Sequence, residues 1–199
     1  MKLKNISAGF IFLLLGYNVS AQTKTNLEII YSLLEKSVIK ADSILNSSKT
    51  IFLSISTPQV LEVLKPKVIE SFNKKGFAIK SSNEEVSAAI DYTIVSAKVE
   101  YKHPFTDGFF GAQCCEREIK YDYSLTATIG DKRIIPFAFE NTYLDTIAIS
   151  QISTIELQSL PFTQAVVPSQ PFLSNLWEPI VVIGTLIGTI ILLFTVRSK

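Results

Sequence analysis

The chain has 199 residues, of which 47% are hydrophobic and 19% charged, and its formal net charge is +1. Four of the 19 basic residues (Lys2, Lys4, Arg197 and Lys199) lie at the two ends, which leaves 15 basic against 18 acidic residues, a net charge of −3, in the body. A weakly acidic body lacks the basic surface that nucleic acid requires, and its length of roughly 150 residues suits one domain rather than two.

Residues 1–21 are typical of a secretory signal peptide. Lys2 and Lys4 form a basic start, residues 6–16 form a short apolar run, and Val19-Ser-Ala21 places small residues before a cleavage site ahead of Gln22. An uncleaved N-terminal anchor is the alternative. No cysteine follows the cleavage site, so the sequence gives no sign of a lipid anchor.

The exported body opens with alternating helical and extended patterns. Residues 27–45 repeat apolar side chains every three or four positions, which predicts an amphipathic helix. Residues 50–56 predict a buried strand, and Thr57-Pro58 starts a second helix that Pro66 kinks or divides and Gly76 ends.

Three longer β segments follow the short strand 77–80, at residues 91–101, 116–129 and 133–143, with a hairpin turn at Gly130-Asp131. We therefore expect residues 22–157 to form an α+β domain, with two helices on one face of a mixed, mostly antiparallel sheet. Residues 145–157 fit a strand or a helix equally well.

Residues 158–175 contain Pro161, Pro168 and Pro171 without any apolar period. This composition predicts an extended tether that separates the domain from a membrane. The interpretation depends on the segment that follows.

Residues 176–196 predict a transmembrane helix. No charge occurs between Pro179 and Val196, and from Leu176 the stretch reaches about 20 residues, enough to cross lipid. Together with the signal peptide it predicts a single-pass membrane protein, with the domain exported and residues 197–199 in the cytoplasm. The helix itself, from Leu176 to Val196, would contact membrane lipid.

Gly184 and Gly188 have the small-xxx-small spacing that lets two helices approach closely. Helix association through them would make a homodimer. The spacing is common in apolar helices, so it is a weak signal.

The sequence contains no motif that indicates an enzyme. Its single histidine, His103, has no cysteine or carboxylate at ligand spacing, so we expect a solvated loop residue and neither a metal site nor a cofactor. Phosphate-binding glycine loops and serine-hydrolase or zinc-protease motifs do not occur. Glu116, Glu118 and Asp122 share one face of a strand, as on a solvated sheet surface.

The loop of residues 102–113 carries Phe105, Phe109 and Phe110 between glycines. If exposed, an apolar patch of this kind marks a contact with a partner or with a membrane. In the alternative, these rings fold back and close the edge of the core.

Cys114 and Cys115 are adjacent, and neighbouring Cα atoms lie ~3.8 Å apart, below the usual range for a disulfide. We expect two thiols on opposite faces of a strand. An intermolecular bridge and a redox-active pair are the alternatives.

The order of a buried strand, a helix ending in Lys74-Lys-Gly76-Phe77, and Ala89-Ile-Asp91-Tyr entering a long strand resembles small envelope modules of bacteria. These are the α/β domains of curli-secretion lipoproteins, penicillin-binding-protein activators and the N-terminal domain of the Tol translocation protein. The resemblance covers residues 50–143 and implies a non-enzymatic accessory role in the envelope of a bacterium. With the expected span, this places the protein in the inner membrane, with its domain in the periplasm.

Three functions therefore stay open. The first is an adaptor or accessory subunit whose sheet edge or phenylalanine loop binds another envelope protein. The second is a sensor subunit that binds a small ligand or glycan. The third is a hydrolase whose carboxylates meet only in the folded chain.

Overall fold

The computed structural model shows an α+β domain and a C-terminal helix. It describes residues 23–45, 49–81, 86–108, 111–129, 132–133, 137–169 and 177–196. The signal peptide predicted at residues 1–21 and the tail 197–199 lie outside this part of the chain.

The first helix, α1 (Asn26–Leu45), begins at a reciprocal cap. The Glu28 carboxylate accepts a hydrogen bond from the Thr25 backbone N–H at 2.8 Å, and the Thr25 hydroxyl oxygen accepts one from the Glu28 N–H at 3.2 Å. This pairing satisfies backbone donors that the first turn leaves free. The helix buries one apolar face, formed by Ile29, Ile30, Leu33, Leu34, Val38, Ala41 and Leu45.

A parallel strand–helix–strand unit follows α1. Strand β1 (Thr50–Ser56) leads through a 3-10 turn (Gln59–Leu64) into α2 (Lys65–Lys74), and β2 (Ala78–Lys80) returns parallel to β1. Pro66 stands in the first turn of α2, where its missing N–H costs no hydrogen bond.

Four further strands complete the sheet among the described residues. They are β3 (Ala88–Thr106), β4 (Gln113–Ile129), β5 (Lys132–Arg133) and β6 (Phe137–Ala148). The order is β2-β1-β3-β4, with β5 and β6 both paired to β4. β3 runs parallel to β1, whereas β4 is antiparallel to β3, β5 and β6, so the sheet is mixed as the sequence predicts.

The two faces of the sheet differ sharply. Tyr92, Ile119 and Tyr123 are buried under α1 and α2, while most of the intervening side chains on β3 and β4 are polar; Val95, 52% exposed, is an apolar exception. Successive side chains of a strand alternate between faces, so this pattern follows directly from the sequence. One apolar core therefore lies between the sheet and the two helices.

β3 is irregular at two points, between Ile94 and Ser96 and between Lys102 and Phe105. At the second point His103 has a φ of +48°, a conformation uncommon for residues other than glycine. The irregularity lets β3 continue past Pro104, whose ring removes a backbone donor.

The chain after β6 turns back onto the domain. Residues Ile149–Gln151 and Pro161–Thr163 form 3-10 turns, and α3 (Ile152–Ile155) lies between them. Residues 145–157, which by sequence fitted a strand or a helix equally well, are thus the end of β6 followed by helical turns. Within the expected tether, Phe162 and Thr163 are buried; the boundaries of the domain stay a prediction.

The last helix, α4 (Trp177–Val196), corrects two expectations. Within the described residues no helix is long and apolar enough to cross a membrane. The transmembrane part of the expected architecture and the single-pass inner-membrane localisation are therefore wrong.

Candidate functional site: the free edge of β3

Phe105 is the one phenylalanine of the expected partner-binding loop that falls within the described residues. It lies near the end of β3, opposite Cys114 on β4, and is 43% exposed. Its ring therefore does not close the core. Phe109 and Phe110 lie outside the part of the chain that the structure describes.

Gly184 and Gly188 both lie in α4. A Cβ atom added at either position would meet no atom within 4 Å. Helix association through these two glycines stays a prediction.

Among the strands that the structure describes, β3 pairs on one side only beyond Thr93. Its register with β1 ends at Ser56 and Thr93, whereas its pairing with β4 continues to Thr106. Among the described residues no backbone hydrogen bond joins this free edge to the segment of residues 164–169 that passes beside it. Every second residue of the free edge thus presents an N–H and a C=O without a backbone partner among the described residues.

A groove of about 400 Å³ runs along this edge, which we call the β3 groove. Its walls are the strand on one side and the returning C-terminal segment on the other. The lining residues are Val99, Glu100, Tyr101, Lys102, Ala165 and Val166. Val166 is 89% exposed, so the apolar rim of the groove is open to a partner.

A buried polar cluster fixes the returning C-terminal segment, which forms the wall of the groove opposite β3. At its centre the Arg117 side chain is 0% exposed and donates to both oxygens of Asp145, from Nε at 2.8 Å and from Nη2 at 2.5 Å. Nη1 donates to the Lys24 carbonyl and to Oδ1 of Asn26, each at 2.9 Å. These bonds satisfy a cation that burial would otherwise make very costly.

Asn26 extends the cluster to the C-terminal segment. Its amide nitrogen donates to the Tyr101 hydroxyl and to the Thr163 carbonyl, each at 2.8 Å. The Glu156 carboxylate accepts a hydrogen bond from the Ala165 N–H at 3.0 Å. The start of α1, the strand β3 and the returning segment are therefore joined beneath the groove.

The outer side of the groove carries charge. The Lys102 ammonium contacts Glu100 at 2.6 Å and also contacts Glu118 on β4. Hydrogen bonds to Glu100 and then Glu118 raise the pKa of Lys102, and the bond from Lys102 lowers the pKa of Glu118. Lys102 is therefore positively charged and held in position at the groove mouth.

His103 follows directly and pairs with Glu116, its Nδ1 lying 2.8 Å from Oε2. The histidine ring is exposed, as the sequence predicts, although it stands in a strand rather than a loop.

The buried tyrosines form a second polar set, away from the groove. The Tyr92 hydroxyl bonds to Ser37 of α1 and lies 2.9 Å from the Tyr121 hydroxyl. Burial raises the pKa of both tyrosines far above the ordinary value. These hydroxyls face the core and not a cavity, so they contribute to stability rather than to a binding site.

Metal-ligating side chains are not clustered in the described residues. No group of three or more histidine, cysteine or acidic side chains there is placed to hold a metal ion. Cys114 and Cys115 are free thiols; Cys115 is buried, and burial raises its pKa. A thiol with a raised pKa is a poor nucleophile.

Sequence reasoning missed the Arg117 cluster. The alternation of side chains along β4 could have indicated that Arg117 is buried. Arg117 lies two residues from Cys115 and two from Ile119, so it shares the inner face of the strand with them. A charged residue on an apolar face requires a partner, and the register places Asp145 directly opposite on β6 and Tyr101 directly opposite on β3.

Comparison with known proteins identifies no relatives by sequence: no family model and no curated protein sequence matches the chain. Among solved structures it is similar to a minor lipoprotein from Acinetobacter baumannii, with 12% identity, a TM-score of 0.33, and coverage of 51% of this chain and 66% of that one.

Two further solved structures are similar to the chain. Rare lipoprotein B from Shewanella oneidensis has 21% identity and a TM-score of 0.30 over 47% of this chain and 68% of that one. A protein named as a homolog of neuraminyllactose-binding hemagglutinin from Helicobacter pylori has 10% identity and a TM-score of 0.31 over 52% and 67%. Two of these three proteins are bacterial lipoproteins, but TM-scores near 0.3 assign the chain to no family.

Proposed function

We propose that the protein is a non-enzymatic accessory protein of a bacterial envelope, and that it binds an extended segment of another envelope protein in the β3 groove. The observation that carries this proposal is the unpaired edge of β3 at Val99–Lys102, which forms one wall of an open groove. The predicted signal peptide supports export of the domain.

The extended segment of the partner protein would pair with β3 as a further strand of the sheet. An unpaired strand edge offers backbone hydrogen bonds to any extended chain, and neighbouring side chains supply the selectivity. Here the apolar rim at Ala165 and Val166 favours small apolar side chains on one face of the partner segment. The Lys102 ammonium and the Glu100 carboxylate favour a segment with charge of both signs on the other face.

The rigidity of the groove supports binding. Because Asn26 joins the Thr163 carbonyl to α1, the returning segment is fixed before a partner arrives. A groove that is already ordered loses less conformational entropy when it binds than one that must fold around its ligand.

Site-specific photo-crosslinking tests the proposal. A photo-reactive phenylalanine analogue replaces Val166 at the groove rim in one variant, and Val60, which is 58% exposed on the 3-10 turn after β1, in the control. Both are expressed as the full chain in native cells. We expect position 166 to crosslink to one short segment of a single envelope protein, and position 60 to give no such product.

A second variant separates binding from general surface effects. Val166→Asp places a charge on the apolar rim, whereas Val60→Asp makes the same change elsewhere. Co-purification of the crosslinked partner should fall at least fivefold with Val166→Asp and stay unchanged with Val60→Asp. Equal recovery with both variants, or crosslinks from position 166 scattered over many proteins, would contradict the proposal.

A further inference from the structure

The returning segment lies beside the free edge of β3 without pairing to it. Ala165 and Val166 form one wall of the β3 groove, and residues 99–102 form the other. Among the described residues, no backbone hydrogen bond crosses between the two walls. The open edge of a strand pairs readily with an extended chain beside it, so a specific contact is needed to keep the two apart.

Residues 164–167 are able to form a strand. Gln164 already has extended backbone angles, φ −110° and ψ 151°. Val166 and Val167 are β-branched, which favours strands, and no proline occurs among the four residues. The three residues of β2 show that so short a strand is enough to extend this sheet.

The Glu156 carboxylate draws this part of the segment away from β3. It accepts a hydrogen bond from the Ala165 N–H at 3.0 Å, so that donor is not available to the strand. The same carboxylate accepts a hydrogen bond from the Tyr101 hydroxyl, which fixes it beneath the groove. Because a bond to a carboxylate is about twice as strong as one between neutral groups, Ala165 gains more from Glu156 than from a carbonyl of β3.

The inner end of the segment is anchored independently of Glu156. The Thr163 carbonyl accepts a hydrogen bond from Asn26 at 2.8 Å. The Gln164 side-chain amide donates to two carbonyls earlier in the segment, each at 3.0 Å. Loss of the Glu156 carboxylate would therefore free residues 165–167 and keep them next to β3, where they meet its open edge at a high effective concentration.

We propose that Glu156 is the positioning residue that keeps the β3 groove open. By binding the Ala165 N–H, it holds residues 165–167 away from the strand. Without this bond, residues 165–167 pair with β3 and occupy the groove. The same backbone groups of β3 serve either the returning segment or a partner. The effect on partner binding rests on the function proposed above, whereas the closing of the groove does not.

Hydrogen exchange of the purified full chain tests this role without any partner. In the unmodified chain, the amides of residues 99–102 that face the groove should exchange rapidly. Glu156→Ala should slow exchange at least tenfold in about two of these four amides, because alternate residues of a strand bond to one neighbour. Glu156→Gln keeps a side-chain oxygen that accepts from Ala165, so its exchange should stay close to that of the unmodified chain.

Two further variants separate closing of the groove from a general loss of order. Glu156→Asp, whose carboxylate is one methylene shorter and falls short of Ala165, should also slow exchange at residues 99–102. When Val166→Pro and Val167→Pro are added to Glu156→Ala, the segment loses two backbone donors and cannot form a strand. Exchange should then return to the unmodified rate. Amides of α1 monitor the fold of each variant.

The opposite results are equally clear. Unchanged or faster exchange at residues 99–102 in Glu156→Ala would show that the segment is merely released, and would overturn the proposal. Slowing that persists after the two proline substitutions would overturn it as well.

Partner recovery is a separate readout. Photo-crosslinking from position 166 should fall with Glu156→Ala and persist with Glu156→Gln. Absence of a crosslinked partner for the unmodified chain would count against the proposed function alone, because the exchange measurements need no partner.

Discussion

The guanidinium of Arg117 and the carboxylate of Asp145 face each other across β4 and β6 and are joined by two hydrogen bonds of 2.8 and 2.5 Å. The arginine side chain is 0% exposed, whereas the aspartate is 25% exposed. Arg117 therefore places a positive charge on the apolar side of the sheet, and Asp145 balances that charge. The remaining bonds of Arg117 reach the start of α1, so it also determines how the helix sits on the strands.

Asp145→Ala should destabilise the fold strongly. The change leaves the Arg117 cation buried without its counter-charge, which costs about 3 kcal/mol in the free energy of unfolding. Urea denaturation followed by circular dichroism measures the loss.

Glu140→Ala is the matched control, because Glu140 lies on the same strand in an exposed ion pair with Lys120. Exposed pairs of this kind contribute about 0–1 kcal/mol. If the two variants lost equal stability, the Arg117 cluster would not be the buried anchor described above.

Phe162→Ala should release the returning segment from the domain. The ring is 7% exposed and packs with the core, so its removal costs about 3–4 kcal/mol. Leu157→Ala, at a side chain that is 38% exposed, should cost much less. Limited proteolysis provides the local readout: cleavage near residues 164–168 should accelerate in Phe162→Ala under conditions in which the sheet stays intact. Equal protection of that segment in both variants would show that Phe162 does not hold it.

The sequence predicted the outer sheet face well, because alternation is a local property. Glu116, Glu118 and Asp122 are on the polar face of β4, where their spacing places them, and Lys120 stands between them. Helix α1 was equally clear from its apolar period. These features need only the strand and helix repeats.

Other features depended on contacts between distant residues and were not predictable in the same way. Nothing local in Arg117 indicates that Asp145, 28 residues later, lies directly opposite it. The length of β3 was underestimated for a related reason. Pro104 argues against a strand locally, yet the irregularity at His103 allows pairing with β4 to continue to Thr106.

The transmembrane prediction was wrong. It rested on an apolar stretch of about 20 residues in the sequence, but within the described residues no helix is long and apolar enough to cross a membrane.

The stability of the protein should fall steeply above pH 10. Burial raises the pKa values of Tyr92, Tyr101 and Tyr121 above the value of ~10 for tyrosine in an unfolded chain. Above that pH the unfolded chain loses protons that the folded chain keeps, so the free energy of unfolding decreases by about 1.4 kcal/mol per pH unit for each such tyrosine. Below pH 10 their contribution is fully present.

Urea denaturation between pH 9 and about pH 11.5, a window that spans the unfolded tyrosine value, measures this slope. In Tyr121→Phe the slope should be smaller by about one proton, because one buried phenol is gone. Phe72→Leu, which changes the same buried core without removing a phenol, is the control and should keep the slope of the unmodified chain. An identical slope in both variants would contradict the assignment of raised pKa values to the buried set.

His103→Gly should be tolerated, whereas His103→Val should not. The φ of +48° at this position is favourable for glycine and costs about 1–2 kcal/mol for other residues, most of all for a β-branched side chain. Glycine relieves that cost but loses the exposed contact with Glu116, so we expect unfolding free energy within about 1 kcal/mol of the unmodified chain. Valine should lower it by about 1–2 kcal/mol or shift the pairing of β3 with β4 beyond Lys102. Hydrogen exchange of the Phe105 and Thr106 amides distinguishes these two responses, and equal stability of the two variants would show that β3 does not require the left-handed conformation at His103.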